Sequence, residues 1–220
     1  MVEVRKAYPL PQAVDVLQKF PKAKFSESVD LAFRLGVDPK QSDQMVRGTV
    51  PLPHGTGKTV RVLVFAKPGA AADAARAAGA EFVGFDDMIK KANEGWTDFD
   101  VAIATPEAMV EVRKLGKVLG PRGLMPNPKT GTVTEDTARA VREVKAGRVE
   151  FKVDKAGNVH VAVGKSNFPA EQIIENARAV IEAVSKARPS SVKGIFMQTC
   201  TLSATMSPPV RIDVREFTTA

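Results

Sequence analysis

The pattern of apolar and polar positions changes character twice along the chain. Near the start, LPQAVDVLQKF (residues 10–20) has helical spacing, and Pro11 suits a first turn, where its missing N–H would be unbonded anyway. KFSESVDLAFRLGV follows with a period of two. Phe25, Val29, Leu31, Phe33 and Leu35 fall on one face, which predicts a half-buried strand. After the polar loop VDPKQSDQ, VRGTVPLP predicts a second strand, stopped by Pro51 and Pro53, which cannot donate to a ladder. The texture then shifts. TVRVLVFA and FDVAIAT are continuous apolar runs of strand length, as in strands covered on both faces, and EFVGF is a shorter one. Between and after them, GAAADAARAAGA, DDMIKKANEG and PEAMVEVRKLG predict helices. The second of these places acids in its first turn, lysines later and Gly95 at its end, as the helix dipole favours. TEDTARAVREVKAG predicts a further helix with Thr134 as its N-cap.

Alternation returns beyond Gly147. RVEFKVDKAGNVHVAVG predicts two strands around an AGN turn, and VKGIFMQTCTLSAT and PVRIDV predict two more. PAEQIIENARAVIEAVSKAR is the most clearly amphipathic helix, with Ile173, Ile174, Ala177, Val180, Ile181 and Val184 forming one stripe. The ends therefore have α+β texture and the middle has α/β texture. This predicts two domains: a discontinuous α+β domain from residues 1–57 and 148–220, and an inserted three-layer, Rossmann-like α/β domain over residues 58–147. The crossings carry Gly55, Thr56, Gly57 and Gly147, residues suited to a pair of hinges.

Charge narrows the partner. The chain has 220 residues and a net charge of +7, which favours a polyanion, either nucleic acid or an anionic membrane surface. Residues 58–147 hold 14 Lys and Arg against 12 acids, while the two ends hold 18 against 13, so the end domain is the more basic. Aromatic residues make up only 6%, too few for a single-strand stacking platform. Structured RNA, recognised through backbone shape and 2′-hydroxyls, suits the composition better. Cys200 is the only cysteine and sits in an apolar run, so no intrachain disulfide forms. With His54 and His160 it is too scattered for a zinc site, and no cofactor is expected. MVEVRKAYPLPQ has no apolar core of the signal-peptide kind, and no apolar run is long enough to span a bilayer. A cytosolic protein is expected.

Two glycine-rich stretches invite a phosphate reading. In PHGTGKTVRV, Gly57-Lys58-Thr59 matches the tail of a nucleotide-binding loop, which raises the alternative of a nucleotide-dependent α/β enzyme. The required earlier glycine is replaced by Leu52, and a strand-like run follows where a helix N-terminus would have to receive the anion. The turn is better explained as a flexible connection. In RKLGKVLGPRGLMPNPKTGTV, prolines stiffen the chain, glycines permit sharp turns, and Arg113, Lys114, Lys117, Arg122 and Lys129 have no acid among them. This is either a basic surface loop laid along phosphates or a long rigid connection with solvated charges. No nucleophile elbow or H-E-x-x-H motif is present, and the Asp86-Asp87 pair is explained by its place at a helix start.

LGKVLGPRGLMPNPKTGTV also closely resembles the signature of the L-one family of bacterial large-subunit ribosomal proteins, which forms the lateral stalk beside the tRNA exit site. SDQMVRGTVPLPHGTGK, AGRVEFKVDKAGNVH, VGKSNF and TMSPPVRID resemble further blocks of that family in the same order, from about Tyr8 to Val214. The resemblance implies a two-domain, non-enzymatic RNA-binding protein, a monomer when free, located in the cytoplasm on the ribosome and not on a membrane. Its implied partners are 23S rRNA, a similar element of its own messenger, and tRNA at the exit site. The implied RNA site maps onto Lys24, Phe25, Glu27 and Ser28, onto His160, Lys165 and Ser166, and onto Ser203, Thr205 and Met206. In that site Lys24 and Lys165 would neutralise phosphates, and Ser28, Ser166 and Thr205 would bond 2′-hydroxyls or base edges. Phe25 and Met206 would pack on sugars or base faces, and Glu27 would accept from a hydroxyl or amine. Phe25 has a second reading, as the first core residue of its strand. The family usually carries glycine after the Thr-Met pair, where this chain has Ser207, and the basic N-terminal extension common in the family is short here.

Overall fold

A computed structural model of the chain describes residues 6–217. In chain order its elements are α1 (Leu10–Gln18), β1 (Ser28–Leu35), β2 (Arg47–Pro51), β3 (Val62–Phe65), α2 (Ala70–Ala77), β4 (Phe82–Gly84), α3 (Asp86–Asn93), β5 (Val101–Ala104), α4 (Met109–Val112), α5 (Gly116–Leu119), α6 (Thr137–Lys145), β6 (Arg148–Lys152), β7 (Asn158–Lys165), α7 (Ala170–Lys186), β8 (Met197–Ala204) and β9 (Val210–Ile212). The chain separates into two compact units. One combines the ends, up to Gly57 and from Gly147 on, and the other comprises Lys58–Ala146. Gly147 thus groups with the chain ends.

In the end unit, an antiparallel sheet runs β7-β1-β8-β9, and β2 pairs with β6 beside it. Val29, Leu31, Phe33 and Leu35 of β1 and Val159, Val161 and Val163 of β7 are all buried with α1 and the α7 stripe in one core. Leu31 and Phe33 are among its largest fully buried side chains, each contributing about 1.5–3 kcal/mol by leaving water. The other face of the sheet carries Ser28, Asp30, Ala32 and Arg34 from β1, none of them buried. Phe25 does not share the buried face despite its matching phase. The strand begins only at Ser28, and Phe25 is 55% exposed in the segment before it.

The inserted unit has a parallel sheet of order β4-β3-β5. Val62, Val64 and Ile103 face α2 and α6, while Leu63, Phe65, Ala102 and Ala104 face the opposite core with Val112, Leu115 and Leu119. Burial on both faces explains why these strands are continuously apolar. Two local expectations are corrected. The N-cap of α6 is Asp136, whose carboxylate accepts the Arg139 N–H at 3.0 Å; Thr134 instead accepts the Asp136 N–H at 3.2 Å. The stretch from Arg113 is less loop-like than its glycines suggest. It forms a 3-10 turn over Arg113–Leu115 and then α5, and Gly116 and Gly120 have ordinary helical dihedrals.

The first crossing segment is fixed within the end unit by one buried amide. Asn176 of α7 has no exposed surface. Its Nδ2 donates to the carbonyls of Gly55 at 3.0 Å and Val163 at 2.8 Å, and its Oδ1 accepts the His54 N–H at 3.1 Å. Beside it, His54 Nε2 and Glu175 Oε2 are 2.6 Å apart. Gly147 lies against the same turn with φ of 102°, and a Cβ there would sit 2.3 Å from the Gly55 Cα, so no other residue fits. Replacing the amide with an apolar side chain of similar size strands three backbone groups. Asn176→Leu is expected to lower unfolding stability by about 3 kcal/mol or more in urea denaturation followed by circular dichroism. A loss below about 0.5 kcal/mol would contradict this account of the turn.

Candidate nucleic-acid interface

One end of the antiparallel sheet is assembled from three distant chain segments, and Glu27 ties them. Its side chain stands in phase with the buried positions of β1 and is 3% exposed. Oε1 accepts the Ala23 N–H at 2.9 Å, and Oε2 accepts the Met206 N–H at 2.8 Å. The Glu27 backbone closes a second pair: its N–H donates to Ser166 Oγ at 3.1 Å, and its carbonyl accepts the Ser166 N–H at 2.8 Å. One residue higher, the Ser28 N–H donates to Thr205 Oγ1 at 3.2 Å, and the Thr205 N–H donates to the Ser28 carbonyl at 3.1 Å. Lys165 Nζ donates to Ser28 Oγ at 2.9 Å. Residues 23–28, 165–166 and 205–206 therefore form one hydrogen-bonded platform.

A β-bulge aims Lys165 at that platform. The β1–β7 register slips between Val29, which faces Gly164, and Asp30, which faces Ala162. Without the extra residue in β7, position 164 would share the outward face with His160 and Ala162. With it, Lys165 takes that side opposite Ser28. Further along the outward face, Ser203 stands opposite Asp30, and His160 and Thr201 stand on either side of Ala32.

Of the residues anticipated as an RNA site, Ser28, Lys165, Ser166, Thr205 and Met206 meet at the platform, with Lys24 and Phe25 exposed in the segment leading into it. His160 and Ser203 belong to the adjoining sheet face. Phe25 at 55% and Met206 at 72% exposure are two of the large apolar side chains left in water, and both lie on segments that Glu27 holds. Exposed apolar groups flanked by cations and polar hydroxyls suit a partner with flat faces and phosphates. Glu27 itself has both oxygens occupied by backbone donors, and its side chain holds residues 23 and 206 in place. Ser207 bonds its own turn internally. Its Oγ accepts the Ala204 N–H at 2.8 Å and lies 3.4 and 3.3 Å from the carbonyls of Ala204 and Pro208. Asp30 stands on the same outward face, as its phase on β1 implies, whereas no hydrophobic pattern marks the bulge.

In the inserted unit, Arg113 and Lys117 are exposed, Lys114 pairs with Glu111 at 2.6 Å, and Arg122 donates to Thr97 Oγ1. The side chain of Lys129 lies outside the described residues. The turn at Gly55–Gly57 has both glycines at positive φ and leads through Lys58 towards β3, with no helix in between. Lys58 Nζ bonds Asp100 Oδ1 at 2.6 Å, and with the Arg61 N–H it holds the Asp100 carboxyl below its ordinary range. The crevice beyond β3 and β5, where parallel sheets of this kind hold ligands, is lined by Glu107 and Glu135, and Lys67 there is 3.4 Å from Glu107. These carboxylates do not suit a nucleotide's phosphates. The Cys200 thiol is buried in the end-unit core, and burial pushes it up to about 12, so it remains protonated and inert. Among the described residues, no three His, Cys, Asp or Glu side chains are grouped to hold a metal, and no helix is long and apolar enough to cross a membrane.

The two backbone N–H donors hold the Glu27 carboxyl below its ordinary 4.5, the Ala23 bond contributing most and the Met206 bond next, against a small opposing effect of burial. A depressed pKa contributes stability that is complete above the unfolded glutamate's range and is lost as pH falls through the depressed value. The amide protons of Ala23 and Met206, followed by NMR, are therefore expected to titrate together below pH 4.5. Titration at or above that value, or of only one amide, would contradict the shared carboxylate. Comparison with known proteins adds one finding to this geometry: the model of the ribosomal protein L1p/L10e family matches residues 17–208, a span that contains the whole platform.

Proposed function

The chain belongs to the ribosomal protein L1p/L10e family, whose members are structural proteins of the large ribosomal subunit that bind rRNA and are not enzymes, and from that premise we propose that the platform on the end unit is its rRNA-binding site. The observation that supports this most is the convergence of Phe25, Ser28, Lys165, Ser166, Thr205 and Met206 around a single buried carboxylate. Lys24 and Lys165 neutralise phosphates, the hydroxyls of Ser28, Ser166, Ser203 and Thr205 meet 2′-hydroxyls and base edges, and Phe25 and Met206 cover sugars or base faces. His160 lies on the outward sheet face, where it meets the RNA beyond the platform.

The finer role we propose is that of the mobile lateral stalk near the tRNA exit site, acting on 23S rRNA in the cytoplasm and assisting release of deacylated tRNA. What supports mobility is that the chain forms two compact units and passes between them at two places in the sequence, after Gly57 and before Gly147. The cations Arg113, Lys114, Lys117, Arg122 and Lys129 are proposed as a second contact, to RNA or tRNA. A messenger element that reproduces the rRNA junction would compete for the same platform, which makes the protein a repressor of its own synthesis.

Alanine substitution separates the two surfaces. Thr205→Ala and Met206→Ala are each expected to weaken binding to the rRNA junction by about tenfold or more, while Lys117→Ala costs less than about threefold, in filter binding at fixed salt. Equal losses from both surfaces would remove the main site from the end unit.

A further inference from the structure

Asp30 is an anion in the middle of a surface proposed to meet a polyanion. It lies on the outward face of β1, between the row of Ser28 and Lys165 and the row of Ala32 and His160. Across the ladders it faces Ala162 on one side and Ser203 on the other. Its lateral neighbours are small and its successor on this face is Ala32, and Asp30 is half-buried among them. Among the described residues its carboxylate makes no hydrogen bond and no salt bridge. Lys165, and after it His160, oppose the upward push of its partial burial, which is the larger effect.

Such a group serves no structural purpose visible in the fold. Placed among phosphates it repels them, and partial burial strengthens that repulsion by limiting the water that screens it. The arrangement becomes favourable only if the carboxylate meets a hydrogen-bond donor. On the wide, shallow minor groove of A-form RNA, two kinds of donor are presented at the sugar edge: the 2′-hydroxyl and the N2 amine of guanine. The outward face around Asp30 bears the small side chains of Ala32, Ala162, Thr201 and Ser203, which leave room for such a groove edge.

We propose that Asp30 is a specificity-determining residue that accepts a hydrogen bond from a sugar-edge donor of the bound RNA. This rests on the reading of the end unit as the rRNA site. Asp30 then selects ribose over deoxyribose, or guanine over other bases, at one nucleotide, while Lys165 and the platform supply general affinity.

The test uses the full chain and the junction RNA, with Asp30→Asn and Asp30→Ala checked for unchanged thermal melting. If Asp30 accepts from the RNA, Asp30→Ala weakens binding by about tenfold or more, and Asp30→Asn, which keeps an oxygen but loses the charge, weakens it less. Single 2′-deoxy substitutions and guanine-to-inosine substitutions, the latter removing the N2 amine, are then scanned through the junction. One of them weakens wild-type binding and has no effect on Asp30→Ala. Its kind identifies the donor as hydroxyl or amine. If Asp30→Ala fails to melt as wild type does, the same scan is run against Asp30→Leu, which fills similar space without an acceptor. Wild-type binding that is matched or exceeded by both variants would overturn the inference and leave the RNA site standing, because removal of an idle anion relieves repulsion. A wild-type protein that does not bind the junction at all would overturn the RNA-site reading and the inference with it.

Discussion

A carboxylate with almost no exposed surface is costly unless its charge is met by donors, and Glu27 meets that condition only when the segment before β1 folds back onto it and the turn after β8 reaches it. Its two oxygens take backbone N–H groups from residues 23 and 206, and its own backbone pairs with Ser166. The energetic demand of one residue thus fixes the geometry of the surface. The exposed Phe25 and Met206 need no mutual contact to be held in place, because each lies on a segment anchored to the same side chain. An interface built this way is pre-organised, so ordering its loops does not have to be supplied by the binding free energy.

The same logic recurs at the crossings. Asn176 is buried and neutral, and it saturates its amide on the backbone at His54, Gly55 and Val163. Both polar anchors are single side chains satisfied by backbone groups, and each reaches at least one group more than 100 residues away. The rest of the end unit is held by a large apolar core beneath the sheet. The core supplies most of the stability, and the two polar anchors specify how the irregular segments leave it.

Much of this fold is legible in the sequence, because burial imposes period two on β1 and β7 and a helical stripe on α7. The continuous apolar runs of β3 and β5 likewise follow from cores on both faces of their sheet. What escapes notice does so for local reasons. Phe25 keeps the phase of β1 although the chain has left the sheet, so periodicity alone misplaces it. Glu27 keeps that phase too, and an acid at an inward position is a clue that donors must converge there. The bulge that turns Lys165 outward adds one residue without disturbing the apolar pattern. Thr134 and Asp136 are both capable caps two residues apart, and only the geometry of α6 distinguishes them. Gly116 and Gly120 suggest turns, yet both are helical, because glycine permits unusual dihedrals without requiring them. The site residues are legible mainly through the resemblance to a known family. Their types alone, a few serines, lysines and exposed apolar groups, have no spacing that points to RNA.

We propose that RNA lies on the platform Glu27 assembles and continues along the outward sheet face. Ultraviolet cross-linking of the full chain to the large-subunit rRNA junction, with mass-spectrometric identification of the linked peptides, tests it most directly. Cross-links are expected at Phe25, Met206 and His160. Cross-links confined to residues 113–133, with none on the three platform segments, would contradict it.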